Sequence, residues 1–235
     1  DQGLDEKIIE SLGIWTARPN VEDLKNFIYN FENPLREVKI GVVGKYTDLV
    51  ESYKSLDEAL NHAAINLQLK LKIIYLDSEE LESEKGQKSL KDVQGILVPG
   101  GFGTRGTEGK INAITYAREN KVPFFGICLG MQLMCEYCEE GDTTGLSIFD
   151  AKVVRFDNSV KVPQIGWNQI YDLQSDLFEG VNEKEYVYLV HSFYVKECEE
   201  TICSTEYGVE YTSAIKKNNF YGVQFHPEKS SKAGE

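Results

Sequence analysis

The chain has 235 residues, 41% of them hydrophobic, which is enough for one sizeable α/β domain or a domain with an appendage. Its formal net charge of −13 repels phosphate backbones and anionic lipid headgroups, so we expect no nucleic-acid partner and no membrane partner. No apolar run approaches the roughly 20 residues that cross a bilayer, and residues 1–10 lack a signal-peptide core. We therefore expect a cytoplasmic protein whose five cysteines are reduced.

The first 37 residues carry two predicted helices. Apolar residues recur at helical spacing over residues 7–12 and again over residues 21–31. The Asn33-Pro34 step ends the second helix, because a residue before proline is disfavoured in the helical conformation. We interpret residues 1–37 as a helical linker or appendage and predict that the main domain spans residues 38–235. The alternative is that the second helix is the ordinary first helix of that domain.

From residue 38 onward, predicted strands alternate with predicted helices. The strands of the first half are predicted over residues 38–43, 69–76, 95–98 and 123–127, and the helices over residues 56–67 and 110–120. Strands separated by helices of this length indicate a mostly parallel central sheet with right-handed crossovers and flanking helices. From about residue 146 the pattern becomes richer in strands. These are predicted over residues 152–156, 186–190, 212–215 and 220–224. The sequence therefore predicts an α/β fold with a more β-rich carboxy-terminal half.

A cysteine stands where one apolar strand meets a helix. Cys128 has Gly126 two residues before it and Gly130 two residues after it, which is the pattern of a nucleophile elbow with sulfur in place of oxygen. The positive end of the following helix is expected to favour the thiolate. The N–H of Leu129 would be free to hold a developing oxyanion. The alternative is that Cys128 is a small buried hydrophobic residue on a tight turn.

A histidine and a carboxylate follow the last predicted strand. His226 and Glu228 are separated by a proline, which holds His226 extended and brings the two side chains close. A histidine can take the thiol proton and return it to a leaving amine, while a carboxylate holds the imidazole tautomer. Of the other two histidines, His62 fits a structural role in a helix, and His191 is ambiguous.

A glycine-rich loop, Pro99-Gly100-Gly101, follows a buried strand. It lacks the Lys-Ser/Thr pair of a phosphate-binding P-loop, so we expect its backbone N–H groups to complete an oxyanion hole. In a parallel sheet all three motifs lie at the carboxyl ends of strands, where sites form. A Cys-x-x-Cys at residues 135–138 is predicted on a helix, but the spacing of the remaining cysteines does not suit zinc. We therefore expect no metal and no cofactor.

Together these motifs resemble the class I, triad-type glutamine amidotransferases. Pro-Gly-Gly, Gly-Ile-Cys-Leu-Gly-Met-Gln and Gln-Phe-His-Pro-Glu occur here in the order of that family. The resemblance implies a flavodoxin-like class I glutaminase fold. It also implies that Cys128 is the nucleophile, His226 the base and Glu228 the group that orients the base, and that Gly101 and Leu129 supply the oxyanion N–H groups.

The same resemblance implies a set of contacts to the substrate L-glutamine. The residues at the matching positions are Gly100, Gln132, Glu140, Ser192 and Phe193. The implied reaction converts L-glutamine to glutamate and ammonia through a γ-glutamyl thioester. A γ-glutamyl hydrolase-like enzyme is one alternative, and a non-catalytic regulatory subunit is another. Gln132 and Glu140 argue against the first alternative, and the retained triad argues against the second.

The two halves of the chain resemble different relatives. Residues 1 to about 133 resemble the CTP synthase glutaminase domain and its linker, through residues 14–34, 41–46 and 98–110. Residues from about 134 resemble the glutaminase subunit of imidazole glycerol phosphate synthase, through residues 161–168, 188–194 and 226–232. This mixture suggests a chimaera or a divergent member. It implies a synthase partner whose ammonia acceptor is UTP or an imidazole-glycerol-phosphate precursor.

Overall fold

The computed structural model describes residues 3–14, 21–45, 53–101 and 106–234. Trp15, Tyr46 and residues 102–105, which carry part of the resemblance to CTP synthase, lie outside these ranges. The helices are α1 Leu4–Leu12, α2 Glu22–Glu32, α3 Lys54–Asn66, α4 Glu84–Gln87, α5 Thr107–Asn120 and α6 Leu129–Gln132, with 3₁₀ turns at Glu80–Glu82, Lys88–Asp92, Asp176–Phe178, Pro227–Lys229 and Ser231–Gly234. Within the described ranges, every helix is too short or too polar to cross a bilayer.

Thirteen strands are found among the described residues. They are β1 Arg36–Gly44, β2 Leu69–Asp77, β3 Gly95–Val98, β4 Phe124–Ile127, β5 Cys135–Cys138, β6 Thr143–Thr144, β7 Phe149–Arg155, β8 Gln164–Gln169, β9 Tyr186–His191, β10 Phe193–Val195, β11 Thr201–Glu206, β12 Glu210–Lys217 and β13 Phe220–Val223. Each strand and helix predicted from the sequence over residues 7–127 is present, with bounds shifted by a few residues.

The central sheet begins with five parallel strands in the order β2-β1-β3-β4-β13. The first strands of this series follow the flavodoxin-like order 2-1-3-4. The sheet continues through β12, β10, β7, β5 and β6, and most of these pairings are antiparallel. Strands β8 and β9 form a separate antiparallel pair. The predicted α/β fold, with a large mostly parallel central sheet flanked by helices, is confirmed.

Two apolar cores cover the two faces of this sheet. Successive side chains of a strand point to opposite faces, and β1 shows this directly. Val43 belongs to one core together with Ile114 of α5. Val42 belongs to the other core together with Leu56 of α3. Both valines are fully buried, and burial of such a side chain stabilises the fold by roughly 1.5–3 kcal/mol. The site loops therefore emerge from a sheet held on both sides.

The prediction of a helix at the Cys-x-x-Cys segment was wrong. Residues Cys135–Cys138 form β5, which pairs in parallel with β7 and antiparallel with β6. Pairing with β6 and β7 overrides the local helical pattern here. All five cysteines are free thiols, and no group of three His, Cys, Asp or Glu in the described ranges is arranged to hold a metal ion. Strands β6, β8, β10 and β11 were not predicted.

The second amino-terminal helix contacts the main domain. Phe27 of α2 packs edge-on against His62 of α3, with ring centroids 6.0 Å apart. Leu35 donates its N–H to the carbonyl of Gln68, just before β2. His62 therefore has the packing role expected of it. Helix α1, in contrast, keeps Leu4, with Ile8 and Leu12 on the same side, largely exposed. The division into a linker and a domain at residue 38 remains a prediction.

Candidate active site

Cys128 lies on a strained turn between β4 and α6. Its backbone has φ 51° and ψ −107°, a conformation that is unfavourable for a residue with a side chain. The two glycines that flank Cys128 allow this turn, because other backbone atoms approach them too closely for a side chain to fit. A Cβ on Gly126 would lie 2.5 Å from the carbonyl of Gly130, and a Cβ on Gly130 would lie 2.2 Å from the carbonyl oxygen of Val98. The Cys128 N–H donates to the carbonyl of Val223 at 2.8 Å, which ties the turn to β13.

The glycine loop after β3 lies beside both the Cys128 side chain and the His226 imidazole. A Cβ on Gly100 would lie 2.9 Å from His226 Cε1 and 3.3 Å from Cys128 Cβ. Gly100 therefore touches both groups, and only a residue without a side chain fits there. At Gly101, the one described atom that a Cβ would meet is Lys110 Nζ, at 3.5 Å. The structure thus brings three of the predicted motifs together at the carboxyl ends of β3, β4 and β13.

The imidazole of His226 is held from two sides. Its Nδ1 lies 2.8 Å from Glu228 Oε1, and the side chains are only 12% and 10% exposed. The backbone N–H of His226 donates to the carbonyl of Tyr188 on β9, and the hydroxyl of Ser230 donates to the backbone carbonyl of His226 at 2.6 Å. Since a carboxylate accepts at Nδ1, this nitrogen carries the proton and Nε2 is left as an acceptor. Tyr188 and Ser230 were not singled out in the sequence, because their contact depends on how β9 packs.

The thiol of Cys128 is neutral at rest. Burial raises its pKa to about 11, against the opposing effects of the Leu129 N–H and the Gln224 side chain. Gln224 Nε2 has no hydrogen-bond partner among the described residues, yet it lies close enough to the thiol to favour the thiolate. From the sequence we expected the following helix to lower the pKa of Cys128 and favour its thiolate. Helix α6 has only four residues, so its dipole is too small to offset desolvation.

Several of the predicted substrate contacts also meet here. The Nε2 of Gln132 donates to Gln224 Oε1 at 2.9 Å and to the carbonyl of Phe193 at 3.0 Å. Both hydrogens of this buried amide are used within the protein, so a substrate amine could reach only its Oε1. Glu140 is exposed but close enough for its charge to raise the pKa of Cys128. Ser192 is half-buried in the turn between β9 and β10.

His191, which the sequence left ambiguous, is a core histidine. Burial lowers its pKa to about 4, so the ring is neutral at physiological pH. Its Nδ1 donates to the carbonyl of Phe193 at 2.8 Å, and its Nε2 lies 3.3 Å from the Tyr211 hydroxyl. The ring also packs against Phe156 at 5.4 Å. His191 therefore supports the Phe193 carbonyl that holds Gln132, rather than serving as a second base.

The chain is similar to known proteins along most of its length. The family model "Glutamine amidotransferase class-I" matches residues 48–235. The CTP synthase of Desulfotalea psychrophila is 58% identical over 132 residues, covering 56% of this chain and 24% of that protein. The CTP synthase of Geobacter sulfurreducens is 55% identical over 133 residues, covering 56% and 25%. The chain thus matches about a quarter of the length of these curated relatives.

Solved structures agree with the family match. The glutaminase domain of Trypanosoma brucei CTPS with bound acivicin has a TM-score of 0.66 and 26% identity, covering 84% of this chain and 90% of that one. A glutamine amidotransferase from Thermotoga maritima has a TM-score of 0.56 and 15% identity, covering 83% and 78%, and shows the fold alone. Because the family model matches well over half of its length, the chain belongs to the class-I glutamine amidotransferase family.

Proposed function

We propose that the chain hydrolyses L-glutamine to L-glutamate and ammonia through a thioester on Cys128, and that a synthase of the CTP synthase type receives the ammonia. One observation carries the proposal. Gly100 touches both the Cys128 side chain and the His226 imidazole, and Glu228 stands 2.8 Å behind that imidazole. This proximity supports the assignment of Cys128 as nucleophile, His226 as base and Glu228 as the orienting carboxylate.

The proton moves between the thiol and the imidazole. Cys128 Sγ attacks the γ-carbonyl carbon of glutamine while His226 Nε2 takes the thiol proton, because a thiol with a pKa of about 11 needs a base at neutral pH. The imidazolium that forms is stabilised by Glu228. It then protonates the amide nitrogen, the C–N bond breaks, and ammonia leaves the γ-glutamyl thioester. Water, deprotonated by His226, attacks the thioester and releases glutamate and the thiol.

Two backbone N–H groups are proposed to hold the carbonyl oxygen as it becomes negative. The Leu129 N–H is directed at the thiol, where it favours the charged form. Gly101 would supply the second donor from the opposite side of the substrate. Gly100, Gln132, Glu140, Ser192 and Phe193 are proposed to contact the glutamine, with the Glu140 carboxylate facing its ammonium group.

The synthase partner is proposed from the relatives. The proteins that share more than half of this chain at 52–58% identity are named CTP synthases, and the chain matches about a quarter of their length. UTP is therefore the first candidate acceptor. The resemblance of residues from about 134 onward to the glutaminase subunit of imidazole glycerol phosphate synthase gives the second candidate, and implies a chimaera or a divergent member.

The first prediction concerns the nucleophile. Cys128→Ala is expected to abolish ammonia release while the fold is kept, because an alanine fits the same turn. Cys138→Ala, a half-buried thiol on β5, is the matched control and should retain normal activity. Mass spectrometry after treatment with acivicin should find Cys128 modified before the other four cysteines. Even labelling of all five would contradict the assignment.

The second prediction concerns the base and its orienting group. His226→Ala is expected to lower kcat/KM for glutamine roughly 10²-fold or more, the usual range for loss of a general acid–base group. Glu228→Gln should cost less, because a base that has lost its orienting carboxylate can still act. Steady-state ammonia release measures both. A His226→Ala variant with the wild-type rate would refute the proposed triad.

The third prediction concerns the Gly100 loop beside Cys128 and His226. Gly100→Ala should lower kcat/KM about 10²-fold, because the new Cβ displaces His226 or Cys128 from alignment. Gly101→Ala is the matched control. Its Cβ makes an ordinary 3.5 Å contact and its N–H is retained, so its activity should fall by less than about tenfold. Equal losses of kcat/KM in the two variants would show that Gly100 has no particular role in aligning Cys128 with His226.

The fourth prediction concerns the partner. A glycine loop changes conformation at small cost, so we expect the Gly101 N–H to turn fully into the site only when a synthase is bound. Because one oxyanion donor is worth about 10²–10³ in rate, activation of that size is expected. Ammonia release is measured with a CTP synthase amino-terminal domain and, separately, with the histidine-pathway cyclase subunit. Cys128→Ala with each partner gives the background, and full activity of the chain alone would overturn the gating.

A further inference from the structure

Lys110 is a charged residue in an unexpected place. It belongs to α5, and its side chain is 2% exposed. Lysine is almost never buried without a partner, because transfer of an ammonium group out of water is costly. The Nζ atom lies 3.5 Å from the position that a Cβ would take on Gly101. The ammonium therefore stands on the α5 side of the loop whose other side touches Cys128 and His226.

Within the described ranges, the charges around Lys110 do not neutralise its ammonium group. Among the described residues, no carboxylate forms an ion pair with it. Two groups shift the pKa of Lys110 through their charge: Lys45, just after β1, lowers it, and Cys128 in its thiolate form raises it. Gly109 of α5 packs against Ser78, which lies between Asp77 and Glu79 in the chain. These two carboxylates are not among the groups that shift the pKa of Lys110. A negative charge on Cys128 is thus the favourable partner available to this ammonium.

We propose that Lys110 is a positioning residue for the proposed glutaminase reaction: its buried ammonium stabilises the negative charge that forms on Cys128 and on the attacked carbonyl oxygen. This inference rests on the proposed function. Attack by a neutral thiol creates charge inside a site with little water, where a nearby fixed cation is worth far more than at the surface. The cation is already desolvated, so it needs no rearrangement when the charge appears.

The pH dependence follows from the sign of the shift. Burial, and secondarily Lys45, lower the pKa of Lys110 to about 8. The ammonium is therefore present below that pH and is lost as the pH rises through it. Its stabilisation of the Cys128 thiolate is expected to be nearly complete at pH 7 and to disappear by about pH 10.

The experiment measures Cys128 itself. The full chain is alkylated with iodoacetamide from pH 6 to 10, and modification of Cys128 is followed by mass spectrometry. Lys110→Met keeps the length of the side chain and removes its charge. It should slow alkylation at pH 7 about tenfold or more, because an adjacent cation lowers a thiol pKa by at least one unit. The difference from wild type should vanish near pH 10.

Two further variants separate charge from packing. Lys110→Arg keeps its charge at every pH, so its alkylation at pH 7 should stay within about threefold of wild type and exceed wild type at pH 10. Lys121→Met, at the exposed end of the same helix, should match wild type throughout. The thermal midpoint of Lys110→Met should be unchanged or higher, because an unpaired buried charge is removed. For glutamine hydrolysis, its kcat should fall about tenfold with little change in KM.

The wild-type chain gives a check that needs no variant. The alkylation rate of Cys128 should rise less than tenfold per pH unit near pH 8, where Lys110 loses its proton. A constant tenfold rise from pH 6 to 10 would overturn the proposal, as would wild-type alkylation of Lys110→Met at pH 7. If alkylation behaves as expected but the chain releases no ammonia with either synthase partner, the role of Lys110 stands and the proposed function fails.

Discussion

The close approach of three backbone segments at the turn after β4 is the constraint on which the site depends. Gly126 and Gly130 let the chain reverse against the end of β3, where even a methyl group would meet a carbonyl. This approach holds Cys128 at a positive φ and leaves its side chain at the edge of the sheet. The same compact turn allows the Gly100 loop to lie against both Cys128 and His226. The packing of β3 against β4 thereby sets the geometry of the chemistry.

Burial of the thiol decides how the nucleophile must work. A thiol whose pKa is raised to about 11 is present almost entirely as the neutral form at physiological pH, so attack and proton transfer have to be coupled. In the proposed mechanism the His226–Glu228 pair supplies the base, and Lys110 supplies the opposite charge. A resting thiol of this kind is also resistant to oxidation, since peroxides react with thiolates. The site therefore keeps the sulfur inactive until a substrate and a base are aligned.

The parallel half of the fold and the three site motifs could be predicted from local pattern. Buried runs such as Gly95–Val98 and Phe124–Ile127 are bounded by glycine or proline, and each leads into a motif. The antiparallel half was harder, because β5 looks helical in isolation and only its pairing with β6 and β7 makes it a strand. Lys110 and Ser230 gave no local signal. Their roles depend on which loop or strand the tertiary fold brings against them.

The proposed base and the proposed nucleophile are hydrogen-bonded to different sheets. Cys128 is bonded to β13 of the central sheet through Val223, whereas the backbone N–H of His226 is bonded to Tyr188 in the small β8–β9 pair. The small pair is joined to the central sheet by side-chain packing and one isolated bridge, Tyr171 to Ser204, and not by a continuous ladder of backbone hydrogen bonds. Warming should therefore loosen the attachment of the imidazole before the central sheet melts. Heat inactivation of this protein would then begin as a loss of alignment in a molecule that is still folded.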